Sequence, residues 1–395
     1  MSSVTQIEHA LHAIFESADE VARHTGFVQR ARPGKITGKR FALTVVLGLL
    51  QRGEVSMSNL SHFAKHSAMK ITAPSLQERF TRVAATFLET LLSVAFTQVV
   101  AADPVGIALL RRFREVIVED SSTFTLPDDC REQWQGCGGS SSPGTQSAFK
   151  IQVRWDLLRG GFTGMALQDG RTPDNRSALK GVRRGAKSVR NGDQGYFDTA
   201  EFAEENEAGE YFFSRYKGSV KLFDGEGNEL DVLQLLREQA KGEEYECQVQ
   251  VSAARRVPAR LIAVPVPEEV AVKRQVGHRR TAQKHGRQPS DHLLDLCHWT
   301  NLLTNIPQEE LNIQEALVLL RLRWQVELLF KLWKRVGQAD VSRSEQPWHV
   351  LCAIYAKLLG LLITHWLMIV GCWHMPSRRK YGQSDRGGRS VQISC

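Results

Sequence analysis

The chain has 395 residues, too many for one ordinary domain, and its 42% apolar and 24% charged residues describe a globular protein that buries a substantial core. A formal charge of +8 points to a polyanionic ligand, although a ribosome-associated or membrane-surface protein fits the same balance. Seven scattered cysteines, with no CxxC pair and no Cys/His spacing of a zinc site, exclude a disulfide framework and predict reduced thiols in the cytoplasm, and the absence of a basic-then-apolar leader predicts against secretion.

Residues 1–105 read as an α-helical domain. Apolar residues recur at helical spacing in Ile7 to Ala22, Phe41 to Leu50 and Phe87 to Val100, with turn signals at Pro33-Gly34 and Pro74. This stretch carries the first of three acid-free basic runs: Arg23, Arg30, Arg32, Lys35, Lys39 and Arg40. It reads as a DNA-binding unit or as a dimerisation unit.

In residues 106–204 the period changes. Glu115 to Asp120 is β-rich and ends in the polar Ser121-Ser122-Thr123; a Gly/Ser-rich loop follows from Gly136 to Gly144. Lys150 to Leu157 and Phe162 to Leu167 form two strands joined by Arg159-Gly160-Gly161, a hairpin signal. The second basic run follows: Arg176, Lys180, Arg183, Arg184, Lys187 and Arg190.

Residues 205–310 read as a mainly β insertion, with strands at Glu210 to Ser214, Tyr245 to Val251 and Leu261 to Val266, then the third basic run of Lys273, Arg274, Arg279, Arg280, Lys284 and Arg287. Any one such run fits a solvated loop; three favour a long polyanion such as DNA. Residues 311–375 return to two long helices, Glu315 to Arg335 and His349 to Trp373. Leu358 to Trp373 is apolar but shorter than the roughly 20 residues of a membrane span, and it contains His365, so a buried core helix is the reading. Pro376 to Cys395 abandons the helical pattern for a Gly/Ser/Arg text that reads as a disordered or frameshifted tail.

On a helix at 100° per residue, Arg323, Glu327 and Lys334 fall within about 40° of one another, while Leu319, Leu322, Val326, Leu329, Phe330 and Trp333 form the opposite face. The stripe fits an ordinary solvated face with an i,i+4 ion pair, and it equally fits an acid held between two bases for chemistry. Asp120 also fits an Asx turn at a strand end, and Asp193 a simple turn residue. Trp299 and Trp324 fit core packing or stacking on an unpaired base.

The sequence around the stripe supplies a resemblance. Arg323-x3-Glu327-x6-Lys334, inside LRLRWQVELLFKLWK, resembles the Tyr-x2-Arg-x3-Glu-x6-Lys signature of bacterial DDE transposases of the insertion-sequence-4 family, with Leu320 in the place of Tyr. WTNLLTNIP at Trp299 to Pro307 is similar to the segment that leads into this helix, and IYAKLLGLLITHWL to the closing helix. Asp120 in VEDSSTFTLP and Asp193 in GDQGYF resemble the first and second acids of the triad.

The resemblance implies an α/β fold: a ribonuclease-H-like catalytic domain interrupted by a β-rich insertion and preceded by an α-helical N-terminal domain. It implies a DNA transposase in which Asp120, Asp193 and Glu327 hold two Mg²⁺ ions, with Mn²⁺ able to substitute, because in-line attack on a phosphodiester needs hard cations on carboxylate oxygens. Arg323 and Lys334 would hold phosphates of the DNA end, and Arg30, Arg32, Lys39, Arg40, Arg279 and Arg280 would contact the duplex. The partners implied are double-stranded DNA, as terminal inverted repeats and as target, and a second copy in a homodimer on DNA, with no membrane. Leu320 and the polar AKSVRNG before Asp193 instead favour an alternative, a catalytically decayed remnant that binds DNA ends as a repressor.

Overall fold

The computed structural model describes residues 3–29, 36–52, 55–137, 146–284, 286–341 and 344–372. The expected turn at Pro33-Gly34, most of the Gly136 to Gly144 loop and the tail at 376–395 lie outside them.

Five helices come first: α1 (Ser3–His24), α2 (Gly38–Arg52), α3 (Met57–Ala64), α4 (Ala73–Gln77) and α5 (Arg82–Phe96). The hydroxyls of Ser56, Thr72 and Thr81 open the last three by accepting N–H bonds from Asn59, Ser75 and Ala84, which satisfies donors that have no partner within the helix. In α1 the recurrence Ile7, Ala10, Ile14, Ala18 and Ala22 is buried along its length. Gly38 lets α2 start against α1, since a Cβ there would collide with the Ala18 carbonyl and the Ala22 methyl.

The sheet begins with β1 (Glu115–Thr125), β2 (Ala148–Asp156), β3 (Phe162–Asp169) and β4 (Ser188–Gly192), then α6 (Thr199–Glu207) and β5 (Tyr211–Arg215). The short strands β6 (Leu222–Phe223) and β7 (Glu229–Leu230) follow, with α7 (Val232–Leu235), β8 (Tyr245–Val251), β9 (Val257–Pro265), α8 (Glu268–Lys284), α9 (Asp291–Asp295) and β10 (Trp299–Thr304). Among the described residues, ten strands join one sheet in the order β3-β2-β1-β4-β5-β10-β9-β8-β6-β7. The β1, β2 and β3 ladders are antiparallel, whereas β4 runs parallel to β1 and to β5. The chain closes with α10 (Ile313–Leu322), α11 (Trp324–Arg335) and α12 (Pro347–Cys372).

Three expectations change here. β1 continues to Thr125 rather than ending at Asp120, because β2 pairs it without a break from Ile117↔Asp156 to Thr125↔Ala148 and satisfies the backbone of the polar stretch. β5, expected within the insertion, pairs parallel to β4, and β10 then pairs with β5, so the inserted strands extend the central sheet. The helix expected over Glu315 to Arg335 is broken at Arg323 into α10 and α11. An Asn312–Glu315 capping box opens α10.

One core is continuous from α1, α2 and α5 through α12 to the sheet face carrying Val116, Val118, Phe149, Ile151 and Val153. α12 is long and apolar enough to cross a membrane by composition, and most of it is buried, with Leu351, Tyr355, Leu359 and Trp366 inside this core. A second core, with Phe197, Phe202, Phe212, Leu222, Leu236 and Leu261, lies under α6 and the inserted strands. The cysteines Cys130, Cys137, Cys247, Cys297 and Cys352 are free.

Candidate active site

The parallel pairing of β1 and β4 ends at Glu119↔Gly192, so Asp120 and Asp193 are the next residues along neighbouring strands. Alternation turns Asp120 to the face that carries Val116 and Val118, the face on which α11 packs through Val326, Phe330 and Trp333. Asn191 of β4 donates to the Leu319 carbonyl at 2.7 Å, which ties β4 to the end of α10 and brings the α10–α11 junction beside the strand ends. The polar AKSVRNG stretch does deliver a buried strand: β4 is buried throughout.

Beneath it lies an ion network with no counterpart among the expectations. Arg190 forks onto Glu205 at 2.6 and 2.8 Å and lies 3.5 Å from Glu201 and 3.7 Å from Glu119. Arg154 reaches Glu119 at 3.0 Å, and Arg184 pairs with both Glu205 and Glu210. Burial opposes charge on Arg190, but Glu205, Glu201 and Glu119 more than offset it and raise its pKa, so the guanidinium stays protonated.

The three acids share one electrostatic field. Burial pushes the Asp120 carboxyl up to about 6; the Ser121 N–H and Arg323 act in its favour, while the charges on Asp193 and Glu327 act against it. Asp120 accepts the N–H of the next residue, Ser121, at 2.8 Å, and β1 continues past it, so this is not the Asx turn at a strand end that an unspecialised Asp would make. Arg323, its side chain only 13% exposed, pairs with Glu327 at 2.8 Å. The i,i+4 pair therefore exists, but at the sheet rather than on a solvated face.

Lys334 completes the stripe. Its Nζ donates to the Thr123 carbonyl at 2.7 Å and lies 4.9 Å from the centre of the Phe124 ring, and burial lowers its pKa. Arg215, at the end of β5, was not foreseen; burial and Arg323 lower its pKa, while Asp193 and Glu327 raise it, which places it in the same field. An arginine closing the apolar strand YFFSR was the one available signal.

Leu320, Arg323, Trp324 and Arg215 line a cavity of about 330 Å³, and Arg215 also lines one of about 440 Å³ with Lys217, Arg274 and Trp299. Trp299 is half-buried there, but Trp324 is 55% exposed beside Lys331, contrary to the core-packing reading.

Three carboxylates suit a hard divalent cation by donor chemistry, and such a cation would offset the burial and the neighbouring charges that raise Asp120. Among the described residues, however, no three His, Cys, Asp or Glu side chains are gathered closely enough to hold a metal. Glu327 is engaged by Arg323.

The basic runs divide. Arg30 and Arg32 lie outside the described residues, Lys39 pairs with Glu16, and Arg40 is half-buried on α2. Five of the six residues of the second run are engaged internally, which corrects its reading as a continuous phosphate track: Lys180 pairs with Asp198, Arg183 with Glu204, Lys187 with Glu310, and the side chains of Arg184 and Arg190 are buried, while Arg176 is exposed. In the third, Arg274 turns inward to the Trp299 carbonyl at 2.9 Å, while Lys273, Arg279 and Arg280 are exposed on α8.

Residues 111–363 match the family model described as Transposase DDE domain. The chain is 24% identical over 388 residues to a transposase for insertion sequence element IS1151 of Clostridium perfringens, covering 91% of this chain and 80% of that one. It is 25% identical to a transposase for insertion sequence element IS231F of Bacillus thuringiensis subsp. israelensis, covering 88% of this chain and 76% of the other.

Proposed function

Since the chain belongs to the bacterial DDE transposases, and is thus an enzyme that transposes DNA of an insertion sequence, we propose that Asp120, Asp193 and Glu327 form its metal site and cut the ends of the element. The observation that carries this reading is the placement of Asp120 and Asp193 just past the last pair of the parallel β1–β4 ladder, beside the α10–α11 junction that Asn191 ties to β4 and that leads into the helix of Glu327. The β3-β2-β1-β4-β5 order, with β4 and β5 parallel to β1, supports a ribonuclease-H-like core.

The three carboxylates would hold Mg²⁺, with Mn²⁺ able to substitute. Two bound cations supply an activated oxygen nucleophile and neutralise the attacking and leaving oxygens. There Glu327, now paired with Arg323, would be a metal ligand, and Arg323 would be available to a phosphate oxygen of the DNA end. Arg215, beside Arg323, and Lys334, farther along α11, would hold the cut strand through successive steps. The reaction would nick at the terminal inverted repeats and pass the freed 3′ hydroxyl to target DNA. Arg279 and Arg280 on α8, with Arg30, Arg32, Lys39 and Arg40 at the helical end, would track the duplex backbone. The protein would work as a homodimer on DNA in the bacterial cytoplasm.

Glu327→Gln tests the site: folding and binding of a terminal-repeat duplex are kept, and metal-dependent nicking is lost. Nicking at the wild-type rate by that variant would remove Glu327 from the site. A wild-type chain that binds the repeat and never nicks is the repressor that Leu320 favours.

A further inference from the structure

We propose that Asp174 is a positioning residue that holds the two catalytic aspartates together for metal binding, an inference that rests on the metal-site reading above. Asp174 opens the single turn Asp174–Arg176 in the connection between β3 and β4. Its Oδ1 accepts from Ser121 Oγ at 2.8 Å, Lys150 Nζ at 2.9 Å and Gln152 Nε2 at 3.3 Å. Gln152 Oε1 in turn accepts from the Tyr196 hydroxyl. A Cβ on Gly195 would lie 3.0 Å from Asp174 Oδ2, a tight contact, so the backbone after Asp193 runs close against this carboxylate.

One side chain thus joins the residue that follows Asp120, two residues of β2, and the turn that follows Asp193. The pair with Lys150 is not a solvated surface pair, the lysine being 12% exposed. Ser121 faces Gln152 across the β1–β2 ladder, and by alternation both project from the sheet face opposite Asp120. Asp174 therefore braces the site from behind; its Oδ1 is already taken by three donors. The brace is needed because Asp193 follows a five-residue strand and opens a 3₁₀ turn that no capping side chain fixes. Tyr196 ties that turn to Gln152 and Gln194 Nε2 ties it to the Tyr216 carbonyl at 2.9 Å, while Gly195 lies against Asp174.

Partners behind a metal's ligands commonly set its affinity by 10- to 100-fold. The test is Mn²⁺ binding to the full chain, followed by the electron paramagnetic resonance signal of free Mn²⁺, beside nicking of a terminal-repeat duplex. Asp174→Ala is expected to bind Mn²⁺ about 10- to 100-fold more weakly, to bind the duplex as wild type does, and to recover nicking as Mn²⁺ is raised. Asp174→Asn keeps an acceptor for Ser121, Gln152 and Lys150, and is expected to retain wild-type affinity.

Wild-type Mn²⁺ affinity in Asp174→Ala overturns the proposal. Should that variant fail to fold, Gly195→Ala, which presses a methyl on Asp174 and leaves the core untouched, is expected to show the same loss, and wild-type affinity there overturns the proposal equally. A wild-type chain that binds no Mn²⁺ refutes the metal-site reading itself; binding by wild type with unchanged variants refutes the role of Asp174 alone.

Discussion

Replacing Asp120 by asparagine should stabilise the protein while removing its chemistry. The Asp120 carboxyl moves from 3.8 to about 6 because it is buried and shares its surroundings with Asp193 and Glu327. A group whose folded pKa lies above its unfolded one binds its proton more tightly in the native state, so ionising it costs stability. That cost is absent below about pH 4, grows between the unfolded and folded values, and is fully present above about pH 6. At about 1.36 kcal/mol per pH unit, the rise corresponds to about 3 kcal/mol.

The Asp120→Asn side chain would keep an oxygen for the Ser121 N–H, which now reaches Asp120 at 2.8 Å, so the exchange removes charge with little loss of bonding. Urea unfolding in EDTA at pH 8 should then show the variant up to about 3 kcal/mol more stable than wild type, and the gap should close as pH falls toward 4. Divalent metal should stabilise wild type at pH 8 and leave the variant unmoved. A variant no more stable than wild type at pH 8, or a gap that ignores pH, would refute the argument that burial, with Asp193 and Glu327 nearby, opposes the charge on Asp120. The expected trade of stability against activity is common at enzyme sites.

Arg190→Met strands Glu205, Glu201 and Glu119 without their shared cation and should cost about 3 to 5 kcal/mol, as removal of one partner of a buried pair does, read as a lower urea midpoint. A cost under about 1 kcal/mol would show that the network relaxes or hydrates. Arg279→Ala with Arg280→Ala should leave stability unchanged and flatten the salt dependence of duplex binding by about two counterions, whereas Lys187→Ala, whose lysine is committed to Glu310, should leave the slope as it is. The reverse pattern would assign the DNA track to the second basic run. Lys334→Ala should lower the slope by about one, and an unaltered slope would confine Lys334 to its bond with Thr123.

Local pattern carried the part of this site that lies within one element. The Glu327 helix was legible because its docking face is apolar at helical spacing, and Val326, Leu329, Phe330 and Trp333 are indeed buried. β1 was legible to Asp120, but its extension to Thr125 depends on a partner strand more than twenty residues away in sequence, which periodicity does not see. The second basic run looked free because no acid stands inside it. Its partners arrive from elsewhere: Glu205 and Glu210 lie 21 and 26 residues from Arg184, and Glu310 lies 123 from Lys187. For the same reason a strand reading SVRNG looked too polar to bury, when Arg190 is satisfied by acids of α6 and β1. Asp174 and Arg215 gave little or no sequence signal, since each gains its role only when the loops and strands around it converge.

The measurement that bears most directly on the central claim is nicking of a labelled duplex carrying the element's own terminal inverted repeat, with Mg²⁺ or Mn²⁺ and with EDTA, by wild type and Glu327→Gln. Metal-dependent nicking at the repeat boundary by wild type, lost in EDTA and in the variant, is the result expected of a transposase working through Asp120, Asp193 and Glu327. Binding of the repeat with no nicking under any metal would contradict it and leave a DNA-binding remnant.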